Sequence, residues 1–143
     1  MQSSAPVRID ARDYDILRGW QLVEWCCTHG ANEWSLNVMI VDNADNTWLS
    51  RFDEATLPYA LPNGRRVLNT AALVYLHDLL PSGLFQYRPN DAGWFEDLTL
   101  YRNGEPMLEV SSHNGEAYLF VTSDERLGLE RAGLPFSVRE EGA

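Results

Sequence analysis

The chain contains no lysine: all 11 of its basic side chains are arginines, against 21 acidic ones. Roughly eight lysines would be ordinary at this length. Their absence excludes a P-loop lysine, the phosphate-pairing lysine of kinases, a Schiff base and a desolvated catalytic amine. Two origins of the gap compete. G+C-rich coding fits the preference for arginine and the presence of only three isoleucines, Ile9, Ile16 and Ile40, although nine asparagines run against it. The other origin is selection against lysine modification such as ubiquitin-like tagging or acylation.

Cysteine is nearly as scarce. Cys26 and Cys27 are sequence neighbours, which favours reduced thiols over a bridge and fits a cytoplasmic setting. No apolar run approaches ~18 residues, and Met1 to Pro6 has neither the charged start nor the apolar centre of a signal peptide, so no membrane association is expected. The net charge of −10 and the pI near 4.6 repel polyanions, which excludes a nucleic-acid phosphate tracker. Motifs are missing too. There is no G-x-S-x-G, G-x-G-x-x-G, H-E-x-x-H, C-x-x-C or EF-hand loop, so no catalytic residue, metal site or cofactor is expected and a binder is favoured over an enzyme.

What is present is a single domain's worth of chain, 143 residues and 45% hydrophobic, enough to close a core without staples. The C-terminal third is the most legible. Segments 95–102, 106–112 and 116–122 are strands punctuated by Asn103-Gly104 and Asn114-Gly115, strong hairpin signals. A three-residue loop ending in a left-handed Gly104 bulge would pair Leu98 with Leu108 and Leu100 with Pro106. A two-residue type I′ turn at Asn114-Gly115 would set Val110 against Leu119, Leu108 against Val121 and His113 against Glu116. Period-two alternation then sorts the meander into two faces. Leu98, Leu100, Leu108, Val110, Ala117, Leu119 and Val121 make an apolar face for the core. The opposite face gathers Asp97, Thr99, Tyr101, Met107, Glu109, Ser111, His113, Glu116, Tyr118 and Phe120, acidic and aromatic together. Thr122-Ser-Asp-Glu125 reads as a capping box opening a helix to about Arg131, stopped by Gly133 and Pro135.

In the N-terminal half, residues 20–28 and 33–41 fit a hairpin around His29-Gly-Ala-Asn32, with a helix through 14–27 as the rival. A third strand follows at 47–52. A helix capped by Asn69 or Thr70 runs to Leu80, and a short strand lies near 84–88. The expected fold is therefore α+β, with antiparallel β-meanders and two helices in βββα-like halves, the C-terminal meander followed by a helix.

Function is expected to reside on the acidic-aromatic face. Tyr101, Tyr118 and Phe120 supply rigid contact area, Trp94 stands at a loop end beside it, and Asp97, Glu109 and Glu116, with His113, would orient a basic protein partner. That combination resembles, as a class and through no residue motif, the immunity proteins that neutralise bacterial toxins: small, acidic, α+β and free of catalytic motifs. Two alternatives stand beside this expectation. One is a small-molecule-binding domain or enzyme with a pocket near His77; the other is a homodimeric structural subunit joined through the aromatic face.

Overall fold

A computed structural model describes residues 5–39, 65–86 and 94–138. These residues form an α+β fold in which seven strands make one antiparallel sheet and three α-helices contribute to one core with it. The strands are β1 (Ala5–Asp10), β2 (Glu33–Met39), β3 (Arg66–Val67), β4 (Trp94–Arg102), β5 (Glu105–Ser111), β6 (Glu116–Val121) and β7 (Ser137–Val138). The helices are α1 (Ile16–Thr28), α2 (Thr70–Leu79) and α3 (Ser123–Arg131), so there is one more than the sequence suggests. The sheet order is β3-β2-β4-β5-β6-β1-β7. The chain's first strand thus pairs with β6 and β7, while β2 joins the far side of the β4-β5-β6 meander. The proposed strand at 47–52 lies outside the described residues.

The extra helix replaces the hairpin expected over residues 20–28. Asp15 accepts a hydrogen bond from the Arg18 backbone N–H at 2.8 Å and caps the first turn of α1. At the other end, Gly30 adopts φ 102°, and the N–H groups of Gly30 and Ala31 reach the carbonyls of Cys27 and Cys26 at 3.3 and 3.0 Å. This is a Schellman C-cap. The His29-Gly30 pair is therefore a helix stop and not a hairpin turn. The buried stripe is Gly19, Leu22, Val23 and Cys26 together with Trp20 and Trp25, leaving Leu17 67% exposed.

The other two helices begin where their caps stand. Asn69 accepts from the Ala72 N–H at 2.9 Å, and Ala72, Tyr75, Leu76 and Leu79 turn inward. Thr122 and Glu125 form the reciprocal capping box at 3.2 and 2.9 Å. A second Schellman closure, Leu134 N–H to the Leu129 carbonyl at 3.1 Å, ends α3 at Gly133, φ 72°. Residues 84–86, expected to open a short strand, form a turn; positions 87–88 lie outside the described residues.

Both hairpin registers differ from expectation, each for a visible reason. At Asn103-Gly104 both residues take positive φ, 54° and 79°, and Arg102 sits opposite Glu105. This is the two-residue type I′ loop. Such a loop taken alone would put Leu98 opposite Glu109. The conflict is relieved by a bulge at Met107, after which Leu100 pairs with Leu108 and Thr99 with Glu109. A bulge turns consecutive side chains the same way, and Met107 and Leu108 are indeed both buried.

At the second turn Ser111 pairs with Glu116, leaving a four-residue loop, 112–115, in which only Gly115 has positive φ, 64°. Leu108 faces Leu119 and Val110 faces Ala117. The shift from the expected register is two residues, so the division into faces is preserved. All seven residues of the expected apolar face are at most 5% exposed and join Val7, Ile9 and Trp34 in the core.

Candidate functional site

The outer face of the sheet follows from that burial. With Val7 and Ile9 of β1 turned inward, Pro6, Arg8 and Asp10 must point outward; the same alternation sends Glu116, Tyr118 and Phe120 of β6 to the outside. The helices give their buried residues to the inner face, and β1 and β2 extend the sheet sideways instead of covering it. Tyr101, Glu109, Glu116, Tyr118 and Phe120 all keep partial exposure.

Three cross-strand rows organise this face. The first, at the Asn103-Gly104 end, runs from Glu33 through Tyr101 to Pro106. Phe120 shares a cleft of about 350 Å³ with Pro106, Arg102, Asn103 and Glu105, and lies opposite Pro6 of β1. The second row is Ser35, Thr99, Glu109, Tyr118 and Arg8. At its β1 end a second cleft of about 260 Å³ is lined by Pro6, Arg8, Tyr118 and Ser137. The third row is Ser111, Glu116 and Asp10. The face is therefore aromatic and prolyl along one side and charged along the other.

Its charge is more balanced than the meander alone suggests, because β1 and the approach to β3 bring arginines. Arg8 donates to Glu116 at 2.9 Å and to Asp10 at 3.3 Å, and the Tyr118 hydroxyl donates to Glu116 at 3.1 Å. The Arg8 and Tyr118 hydrogen bonds hold the Glu116 carboxyl below the usual range. Asp10 is likewise driven far below it, first by side-chain and backbone hydrogen bonds from Arg12. At the other end the Arg65 guanidinium lies 4.2 Å over the Tyr101 ring and 3.9 Å from Glu33. The Tyr101 hydroxyl is 2.9 Å from Ser35 Oγ. The Glu109 carboxylate has no hydrogen bond or ion pair among the described residues.

Of the eight residues expected here, the structure gathers Tyr101, Glu109, Glu116, Tyr118 and Phe120 on one surface. His113 is exposed in the β5–β6 loop, and Ser111 takes its expected place opposite Glu116, because the loop is four residues long. Trp94 begins β4 opposite Met39, but its side chain lies outside what the structure describes. Asp97 has a structural task. It interrupts the β2–β4 ladder in a left-handed conformation, φ 57°, and its carboxylate accepts the Ser112 N–H at 2.9 Å while its own N–H donates to Ser112 Oγ at 3.1 Å. The expected result is that Asp97→Ala lowers unfolding free energy by about 1–2 kcal/mol. Asp97→Asn, which keeps the acceptor and tolerates positive φ, stays within about 0.5 kcal/mol. Urea melts of the two variants check this.

Sequence reasoning missed Arg8, Arg65, Glu33 and the two prolines. The alternation in Pro6-Val-Arg-Ile-Asp10 was the available signal for β1, and with it Arg8. The rest depend on pairings that only the folded sheet makes.

The chemistry-bearing side chains elsewhere are packed into other roles. Burial raises the Cys26 thiol far above its ordinary value, and burial with Glu24 nearby raises Cys27, so neither presents a thiolate at neutral pH. His77 stacks on Trp20 and His29 on Trp25, with ring centroids 3.8 and 3.9 Å apart. Among the described residues, no three His, Cys, Asp or Glu side chains converge as metal ligands would, and no helix is long and apolar enough to cross a membrane. Comparison of the chain with protein-family models, curated proteins and solved structures found no match.

Proposed function

We propose that this chain is a protein-binding module that takes a basic protein onto the outer face of its sheet, in the manner of an inhibitor neutralising a cationic toxin or enzyme. The observation that carries this reading is the row of Tyr101, Pro106, Phe120 and Pro6, an aromatic and prolyl strip left partly exposed across four adjacent strands. Rigid, amphipathic groups of this kind form interface hot spots at low entropic cost. The net charge of −10 supplies long-range attraction for a cationic partner, so steering comes from the whole chain and specificity from the face.

The test is sizing chromatography with light scattering, on the chain alone and mixed with the product of the neighbouring gene. A monomer that forms a 1:1 complex, weakened as salt rises, is the expected result. Separate elution of the two proteins would contradict it, and a stable dimer of the chain alone would favour the homodimer in its place.

A further inference from the structure

The outer face twice sets an arginine beside both a carboxylate and a tyrosine. Arg65 covers the Tyr101 ring and approaches Glu33. Arg8 stands beside Tyr118 in the register and donates to Glu116, which the Tyr118 hydroxyl also contacts. Glu109 too is a carboxylate with a tyrosine beside it. It lies directly opposite Tyr118 on β6 and Thr99 on β4, diagonal to Tyr101, and is partly exposed. Yet no described arginine pairs with it: Arg8 donates to Glu116 and Asp10, and Arg65 lies over Tyr101 and donates to the Gly104 carbonyl at 3.1 Å.

We infer that Glu109, with the Tyr118 ring beside it, is a subsite for an arginine side chain presented by the partner. A guanidinium fits better than an ammonium because it is planar: it stacks on a tyrosine while donating two parallel N–H groups to one carboxylate. Thr99 leaves the β4 side of the position polar and small enough for such a group to lie flat. The inference rests on the proposed binding face and names the chemistry at its centre.

The probe is N-acetyl-arginine amide, titrated into the isotopically labelled full chain at constant ionic strength, with N-acetyl-lysine amide and N-acetyl-citrulline amide as controls. Backbone amide shifts at Glu109, Tyr118 and Thr99 are expected to move at least about threefold farther with the arginine amide than with either control. Glu109→Gln, a neutral isostere at a partly exposed position, should abolish that difference while its other amide resonances remain those of the folded protein. Equal responses to the lysine amide, or a response that persists in Glu109→Gln, would overturn the assignment. The probe does not depend on the partner. An absent Glu109 response with an intact complex would sink the subsite and leave the binding face standing; a Glu109 response without any complex would do the reverse.

Discussion

Arg102→Met is expected to lower the unfolding free energy by about 3 kcal/mol, roughly 9 °C in melting temperature for a domain of this size. Arg102 ends β4 and ties together α1, β6 and α3. Its guanidinium donates to the His29 carbonyl at the end of α1 at 3.0 Å, to the Phe120 carbonyl of β6 at 3.3 Å, and to both oxygens of Glu125 in α3. Its side chain and that of Glu125 are only 20% and 17% exposed, so removal of the cation leaves a poorly hydrated carboxylate and two carbonyls with a lost donor. Methionine keeps most of the apolar stem, which separates the lost charge from lost packing. Glu125→Gln preserves the capping box, and adding it to Arg102→Met should cost little more, because both changes act on one interaction.

The same pair fixes a pH dependence. Burial works against ionisation of Glu125, but the hydrogen bonds from Arg102 and the Thr122 N–H outweigh it and hold the carboxyl below its ordinary value. A carboxyl whose folded value is depressed stabilises the fold fully above the unfolded value, about 4.3, and loses that contribution as pH falls through the folded value. Stability should therefore decline below about pH 4, and decline less steeply in Arg102→Met. Glu116 and Asp10 shift in the same direction, with solvent screening reducing what each adds. Thermal melts of both proteins between pH 3 and 7 measure the difference in slope.

The second large effect is on binding. Replacing Tyr118 and Phe120 together by alanine should weaken the partner complex at least about 100-fold while changing stability by no more than about 1 kcal/mol. Both side chains are only partly buried, and the core contacts of β6 come from Ala117, Leu119 and Val121. By contrast, alanine at exposed Leu17 or Val74, on helices that face away from the sheet's outer surface, should leave binding unchanged. Calorimetric titration of the partner into each variant reads the effect.

The parts of this fold that were legible from sequence are those set by local chemistry. Asn69 and Thr122 announce their helices because a cap is made within three residues. The division of the meander into faces survives both register errors except at Met107, expected on the outer face and buried by the bulge, because period-two alternation tolerates a two-residue shift and a bulge restores it after a one-residue conflict. Where the extra residue goes was not legible: a bulge at Gly104 and one at Met107 relieve the same conflict, and the positive φ of Asn103 favours the tighter turn. Residues 16–28 deceived because tryptophans, cysteines and Val23 satisfy strand and helix spacing alike, and His29-Gly30 resembles a turn as readily as a Schellman stop. The binding face was half legible. Its tyrosines and glutamates follow from alternation, whereas Arg8 reaches Glu116 across 108 positions, a distance over which local pattern carries no information.

The most direct test is to map which face the partner covers. Hydroxyl-radical footprinting of the complex against the free chain should show protection concentrated at Tyr101, Pro106, Tyr118 and Phe120, with Leu17, Val74 and Leu127 on the helices unchanged. Protection of the helical residues with the four sheet residues still reactive would contradict the outer face as the binding surface.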